Sequence, residues 1–235
     1  MRTLYQLCSL VSISFLLSGF CLPAQADDSA GLVMLVSGKL EARQDSQPPR
    51  LLKRGSPFYN HDTLTTFDAS EAQLRFTDGT LVSLRPDSVF KIDDYKFAGK
   101  QAAENKGSAV NYTVSLIKGG FRSISGEIAK TDPSEYKIKT DVATIGVRGT
   151  EFSLMLDPTG GLGAATYKGL IYLQNAAGYI EIGDGAEYGY AYIASNNSKP
   201  RGEPIRPSFM LNDPRVTTAN FHPGTGGPRS SICLH

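Results

Sequence analysis

The sequence predicts an all-β protein, and three observations support this. Short runs rich in β-branched and aromatic residues alternate between apolar and polar side chains, as at Tyr112, Val114 and Leu116. Turn residues separate these runs at close spacing, and the chain contains 24 glycines. Many short strands joined by glycine-rich turns are typical of a sandwich, a roll or a solenoid. No repeat is regular enough to count solenoid turns, so all three geometries stay open.

The N-terminus has the order of a secretory signal peptide. Arg2 is the only charged residue before Asp27, an apolar run covers residues 7–17, and small residues stand at Ala24 and Ala26. This order predicts cleavage after Ala26 and export to the periplasm or beyond it. The apolar run is shorter than the roughly 18 residues that a membrane span needs. We therefore expect no transmembrane segment in the mature chain.

Cysteine use predicts a fold without an internal disulfide. Cys8 and Cys21 lie within the predicted signal peptide, residues 1–26, and only Cys233 remains. A lipid anchor on Cys21 would need a small residue before it, and the sequence has Phe20 there. Cys233 is left to pair with another chain or to stay a free thiol. Stability must then come from an apolar core, which a chain of this length can build.

The charge balance argues against a nucleic-acid partner. The chain has 24 Lys and Arg residues against 23 Asp and Glu residues. Removal of residues 1–26 takes away Arg2 alone, so the mature chain is formally neutral. A neutral chain lacks the basic excess that binds phosphate backbones or acidic membranes. Its oligomeric state stays open.

Local runs predict each strand in turn. The clearest is a hairpin over residues 71–84, in which Asp78-Gly79 forms a two-residue turn that pairs Phe76 with Leu81. Further strands are predicted at residues 32–36, 64–66, 89–92, 112–117, 136–140, 151–156, 165–167, 170–174, 179–182 and 188–193. Only the polar, alanine-containing stretch 96–108 has room for a short helix, and we interpret it mainly as an excursion between strands.

The composition changes near residue 195. From there to the end the chain has six prolines and a cluster of glycines, with few apolar residues to bury. Ordering such a segment is poorly compensated, which predicts a Pro/Gly-rich, disordered tail over residues 195–235, with local docking at most through residues 209–211. The chain thus divides into a signal peptide (1–26), a β domain (27–194) and this tail.

The sequence offers little catalytic or metal-binding chemistry. Of the three histidines, only His61 lies in the predicted β domain, where His61-Asp62 fits a turn better than a catalytic dyad. The glycines of residues 160–165 precede a strand-like run, which favours a hairpin turn over a nucleotide loop. Asp93 and Asp94 are neighbours on a strand and point opposite ways, so a calcium site is disfavoured. We expect no enzyme, no metal and no cofactor.

Tyr188, Tyr190 and Tyr192 alternate along one face of a predicted strand. Such a row can stack on sugar rings or bind a protein partner, or it can face the core. We favour core packing, because half-buried sheets often recruit aromatic residues. The three tyrosines remain the candidate binding surface.

A β-branched run at residues 143–152 is interrupted by Gly146 and Gly149, with Arg148 between them. Glycine inside a strand marks a bulge or a close backbone approach. Arg148 then has two interpretations: it binds an anionic ligand, or its guanidinium donates to carbonyls at the bulge or to Glu151. We favour the second and expect Arg148→Ala to lower the melting temperature.

The run Gly146-Val147-Arg148-Gly149-Thr150 resembles the Arg-Gly-Thr signature of the FecR-domain family. Other segments fit the family pattern in the same order, over about residues 31–185: Gly55, residues 62–66, 71–76, 78–80, 84–88, 119–122 and 136–140. The resemblance implies a β-rich, solenoid-like or roll-like domain of the cell envelope. It also implies that Gly146, Arg148, Gly149 and Thr150 define the fold and not the ligand.

The resemblance also implies a function. Regulators that name the family carry a cytoplasmic anti-sigma segment and a membrane helix before this domain, and the present sequence shows a signal-peptide pattern instead. We therefore expect a free-standing, exported, non-enzymatic module that binds or senses a carbohydrate, peptidoglycan or an envelope protein. The alternative is a structural or assembly component of a surface or secretion complex.

Overall fold

A computed structural model describes residues 29–99 and 110–211. The predicted signal peptide, most of the stretch 96–108 and the end of the predicted tail with Cys233 lie outside these residues. Within them the helices and strands are almost all β-strands, which confirms the all-β prediction. No helix of this described part is long and apolar enough to cross a membrane.

Sixteen strands of the described residues form one sheet. The first eight are β1 (Gly31–Ser37), β2 (Leu40–Arg43), β3 (Arg50–Leu52), β4 (Pro57–Phe58), β5 (Thr63–Thr66), β6 (Glu71–Phe76), β7 (Leu81–Leu84) and β8 (Val89–Lys96). The other eight are β9 (Asn111–Lys118), β10 (Gly120–Ile124), β11 (Tyr136–Lys139), β12 (Thr144–Leu156), β13 (Leu162–Asn175), β14 (Gly178–Gly183), β15 (Tyr190–Ile193) and β16 (Arg201–Glu203). A helix that the sequence did not predict, α1 (Glu127–Thr131), and two 3-10 turns, Pro133–Glu135 and Ser208–Met210, complete the elements.

The sheet curls on itself. Its main path runs β3-β2-β5-β8-β9-β11-β12-β10-β7-β6-β1-β4, and β13 to β16 join through β12. The pair β9–β11 is parallel and the other pairs are antiparallel. The end strands β3 and β4 follow each other in the chain, and the turn between them bonds to β1: Val33 N–H donates to the Ser56 carbonyl at 2.9 Å. Of the three geometries left open, the chain adopts a nearly closed roll.

The core fills the inside of this roll with aromatic rings. Phe76 packs edge-on against Phe58 and Tyr112, with ring centres 4.9 Å and 5.0 Å apart. Tyr112 stacks on Tyr136 at 4.1 Å. The alternation seen in the sequence accounts for this inner face, because every second side chain of a strand points the same way.

The hairpin of β6 and β7 forms, but its predicted register was wrong by one residue. Leu74 pairs with Val82 and Arg75 with Leu81, so that Phe76 does not face Leu81. Gly79 has a positive φ of 87° whereas Asp78 does not, and Phe76 N–H donates to the Thr80 carbonyl at 2.9 Å. The loop therefore has three residues ending in a left-handed glycine, and not the two-residue turn that needs positive φ at both positions. The shift places the apolar residues of both strands on the core face.

β12 and β13 form a long ribbon that changes partners halfway. The first part of β12, Thr144–Gly146, pairs with β11, and the part after Thr150 pairs with β10. Likewise β13 pairs with β15 before residue 166 and with β14 after residue 169. The register of the ribbon shifts between Arg148 and Phe152, which is the bulge that the glycine-interrupted run predicted.

Three glycines from neighbouring strands meet at this bulge. A Cβ on Gly169, whose φ is 77°, would lie 2.5 Å from the carbonyl oxygen of Gly149. A Cβ on Gly183 would collide in turn with the carbonyl oxygen of Gly169. The strands can approach here because Gly169 and Gly183 carry no side chain, and Gly149 contributes a positive φ of 60°. We call these three positions the glycine corner.

The ordered chain continues past the predicted domain boundary at residue 194. β16 pairs with β15, and the 3-10 turn Ser208–Met210 brings Met210 into the protein with 1% of its surface exposed. Part of the predicted tail therefore belongs to the folded domain, because apolar side chains at residues 209–210 find a surface to cover. Residues 212–235 lie outside the described part.

We predict that Gly169→Ala lowers the free energy of unfolding by about 3 kcal/mol, because it adds both a strained φ and a clash with Gly149. The matched control is Gly185→Ala, whose φ is 81° but whose Cβ would meet nothing within 4 Å. The control should cost only about 1 kcal/mol for the left-handed backbone. Urea unfolding of both variants measures the difference, and equal losses would contradict a close-packed corner.

Candidate functional site

The structure does not support the structural interpretation of Arg148. Its side chain lies on the exposed side of β12, and within the described residues it makes no hydrogen bond or ion pair. Glu151 instead accepts from Arg122, at 2.6 Å and 3.0 Å, and the Arg122 guanidinium stacks on the Tyr167 ring at 3.9 Å. The residue expected to hold the bulge is therefore the one left open to solvent.

Thr150 has the structural role instead. It is buried, its N–H donates to Ser125 Oγ at 2.9 Å, and its carbonyl accepts from Ser125 N–H at 3.0 Å. Gly126, which follows Ser125 in the chain, packs so closely on the β6–β7 loop that a Cβ on it would lie 2.5 Å from the backbone nitrogen of Thr80. The two recognised motifs, at residues 78–80 and 148–150, thus meet through Ser125 and Gly126.

Asp78 is the polar centre of this junction. Its carboxylate accepts from the N–H and the hydroxyl of Thr80 at 3.0 Å and 2.9 Å, and its carbonyl accepts from Glu127 N–H at 2.9 Å. Its own N–H donates to Tyr95 Oη at 2.8 Å. Burial raises the pKa of Asp78 above its ordinary value, although these hydrogen bonds oppose the rise. Burial likewise raises the pKa of Tyr95.

Of the candidate tyrosine row, Tyr188 packs against the core, whereas Tyr190 and Tyr192 do not, contrary to our preferred interpretation. Ala191 and Ile193 of β15 are fully buried, while Tyr190 and Tyr192 point to the outer side and are half-buried. Both alternations are apolar enough to form a core face, so the sequence alone could not choose between them. Tyr188 lies before β15 and packs against Gly202 of β16.

The chain itself covers this row. Arg206 lies over the rings of Tyr167 and Tyr190, 5.1 Å and 5.7 Å from their centres. Phe209 meets the Tyr192 ring edge-on at 6.2 Å. Gly163, opposite Tyr192, leaves room for Phe209, which would lie 2.6 Å from a Cβ there. The predicted binding surface is therefore occupied by residues 206–210.

A groove of about 420 Å³ remains beside this covering segment. Three of its charged side chains already have partners. Arg201 donates to Glu203 at 2.8 Å, and Asp157 accepts a hydrogen bond from the Tyr192 hydroxyl at 2.7 Å. Burial opposes ionisation of Asp157, but the hydrogen bonds from Thr159, Tyr192 and Gly161 together hold its pKa below the usual range. Such an internally paired groove offers few free groups to a ligand.

On the other side of the glycine corner, no segment of residues 29–99 and 110–211 covers the outer face. Here the Tyr172 ring occupies the space that a side chain at Gly146 would need, so the ring lies against the β12 backbone. Gly146 pairs with Tyr172 on one side and with Lys137 on the other. Arg148 stands two residues further along the same face. We call this surface the open face; its other members are Lys139, Thr144, Gln174, Tyr179 and Glu181.

Sequence reasoning missed Tyr172. Its neighbours Ile171 and Leu173 are fully buried, so the alternation does place Tyr172 on the outer side. What the sequence does not show is that Gly146, 26 positions earlier, makes room for its ring, because that contact depends on the register of β12 against β13.

The other sequence candidates hold no site in the described part of the chain. His61 is a turn residue with φ of 67°, and Asp62 beside it is buried in a pair with Arg50 at 2.6 Å. Asp93 accepts from Ser115 Oγ at 2.6 Å, and residues 157–161 form the β12–β13 turn. Among residues 29–99 and 110–211, no three His, Cys, Asp or Glu side chains gather as a metal site would require.

Comparison with known proteins finds one family model that matches part of the chain. The family model described as FecR protein matches residues 62–171. Two crystal structures provisionally assigned as an anti-sigma factor from Parabacteroides distasonis share 12% identity, with a TM-score of 0.45 and 60% of this chain covered. The present chain spans 58% of the length of that protein. A cell surface anchoring domain shares 25% identity over 28% of this chain and 88% of its own, with a TM-score of 0.27. No curated protein matches the chain.

We predict that Arg148→Ala changes the free energy of unfolding by no more than about 0.5 kcal/mol, because the exposed guanidinium has no partner in the described residues. Arg122→Ala should instead cost about 1–2 kcal/mol, since it breaks the Glu151 pair and the stack on Tyr167. Denaturant unfolding of both variants checks this order. A larger loss for Arg148→Ala would restore the structural interpretation.

The raised pKa of Asp78 makes a prediction about pH. The folded state holds the Asp78 proton more tightly than the unfolded chain, whose value is 3.8. The stability that Asp78 contributes is therefore full below pH 3.8 and is lost as the pH rises through the higher folded pKa. Asp78→Asn should remove this slope and leave a constant offset from its altered hydrogen bonds. Unfolding free energies measured against pH on both proteins test it; parallel profiles would contradict it.

Proposed function

We propose that this chain is an exported, non-enzymatic module that binds a glycan of the cell envelope, and the match of residues 62–171 to the FecR family model supports this. The signal-peptide order of residues 1–26 supports the location. The family supports a sensing or regulatory role in the envelope, and such a role requires a recognition surface. The open face is the surface that best fits this requirement.

The placement of Tyr172 is the observation that carries the proposal. Its half-exposed ring is held against the sheet by the missing side chain of Gly146, and its hydroxyl has no hydrogen-bond partner within the described residues. An aromatic ring fixed on a rigid strand offers a large amphipathic contact at little entropic cost. Tyr179, 66% exposed, extends this surface on β14. Sugar rings, with apolar faces and hydroxyl edges, match a ring and a free hydroxyl.

Binding is proposed in preference to catalysis because the buried acids already have structural partners. Asp62 is paired with Arg50, and Asp78 joins the β6–β7 loop to α1. General acid–base work needs a titratable group within reach of a substrate, and these two are buried.

One observation favours a second function, that of an assembly component. Among the described residues β14 pairs with no strand but β13, although its Gly183 N–H donates to the Tyr188 carbonyl. The rest of its other edge can accept a strand from another protein. A complex of fixed stoichiometry with one envelope protein, formed without glycan affinity, would favour this function.

We predict that the purified processed chain is retained on envelope glycans and that Tyr172→Ala weakens this binding about tenfold, or about 1.4 kcal/mol. The matched control is Tyr190→Ala, which removes a tyrosine from the covered row and should leave the affinity unchanged. Affinity electrophoresis and calorimetry measure both. Equal loss in the two variants, or no retention on any glycan, would count against the proposal.

A further inference from the structure

The open face carries more positive charge than the neutral chain as a whole would suggest. Lys137 lies directly across from Gly146, Lys139 lies across from Thr144, and Arg148 follows on the same side. Within the described residues none of these three side chains makes an ion pair or hydrogen bond. One carboxylate stands among them, Glu181, which lies across from Tyr172.

The register brings these charges around the Tyr172 ring. Side chains directly opposite each other on one face of a sheet are about 5 Å apart at Cβ, and those two residues further along a strand about 7 Å apart. Gly146 has no side chain, so the ring of Tyr172 reaches across β12 toward Lys137. The ring thus lies between Lys137 on one side and Glu181 on the other, with Arg148 beside it.

Around the covered tyrosine row, by contrast, the cations are engaged. Arg122 is paired with Glu151, Arg201 with Glu203, and Arg206 lies on two tyrosine rings. The open face differs from the covered row because its three cations have no partner among the described residues and lie near one tyrosine ring. An anion from outside the protein would complement their positive charge.

We propose that the ligand of the open face is an anionic polysaccharide, whose carboxylate or phosphate groups pair with Lys137, Lys139 and Arg148 while a sugar ring stacks on Tyr172. This inference rests on the proposed function and specifies its ligand. It gives Arg148 a binding role that its exposed position permits and that Thr150, on the buried side of the same strand, cannot share. The fork of donors in arginine suits both carboxylate and phosphate oxygens.

Oligogalacturonate and its fully methyl-esterified form provide a matched pair of probes. They have the same sugar backbone, and only the first is charged. A phosphate-bearing mannan tests the other source of negative charge, and inorganic polyphosphate tests charge without sugar rings. Titration calorimetry on the purified processed chain, at low and high salt, measures each affinity.

We expect oligogalacturonate to bind at least about tenfold more tightly than its ester at low salt, with the difference shrinking at high salt. Arg148→Ala should weaken oligogalacturonate binding about three- to tenfold and leave ester binding unchanged. The control variant Arg54→Ala removes an exposed arginine from the β3–β4 turn and should change neither. Tight binding of the phosphate-bearing mannan would support phosphate as the anion, and its failure would assign the site to carboxylates.

Other results would overturn the inference. Equal affinity for oligogalacturonate and its ester would show that the site does not recognise negative charge, and an Arg148→Ala variant that binds normally would remove Arg148 from the site. Either result would overturn the inference and leave the proposed function standing. Equal affinity for polyphosphate would show that no sugar ring is recognised. Loss of binding to every glycan would overturn both the inference and the proposed function.

Discussion

The fold depends on a place where backbones touch without side chains between them. At the glycine corner, Gly149, Gly169 and Gly183 lie on three neighbouring strands, and these are so close that a Cβ on Gly169 or Gly183 would collide with a carbonyl oxygen. This contact lets the β12–β13 ribbon bend, and the bend lets each of its strands change partners along its length. One sheet can therefore roll into a nearly closed shape and still carry an additional layer of strands. Without the corner, β10 and β11 could not both pair with β12.

The corner is tied to a second, polar junction by one short segment. Ser125 bonds the backbone of Thr150, and Gly126 packs against the loop that Asp78 organises. Two motifs that lie some 70 positions apart in the chain are thus parts of one buried structure. The signature run has different roles on its two faces, because the bulge at Gly149 breaks the alternation that would otherwise place residues 148 and 150 on the same face. Thr150 faces inward and stabilises the fold, whereas Arg148 faces outward and is left available for binding.

Sequence patterns predicted the strands well wherever burial is one-sided. Tyr112 and Phe152 begin clean alternations, and both lie in the core. The pattern failed where a choice depended on distant contacts. The register of the β6–β7 hairpin follows from a three-residue loop that Asp78 holds through buried hydrogen bonds, which a turn dipeptide does not reveal. In β15 either set of alternate residues could have faced the core. Residues 206–210 cover the tyrosine set from outside, and the sequence does not reveal this contact. Gly146 looked like a backbone requirement, and its closest neighbour is in fact the ring of Tyr172.

The two halves of the outer face show why an anion is the more consistent ligand. On one side of the corner the tyrosines face cations from their own chain: Arg206 lies over Tyr167 and Tyr190, and Arg201 lies over Tyr192. On the other side, Lys137, Lys139 and Arg148 surround Tyr172 and would repel a similar basic segment. The tyrosine rings on one side are therefore covered by residues of their own chain, whereas the Tyr172 ring on the other side stays half-exposed. The cations of the covered row have partners within the protein, whereas those beside Tyr172 have none among the described residues, and unpaired positive charge beside an aromatic ring suits a ligand of opposite sign.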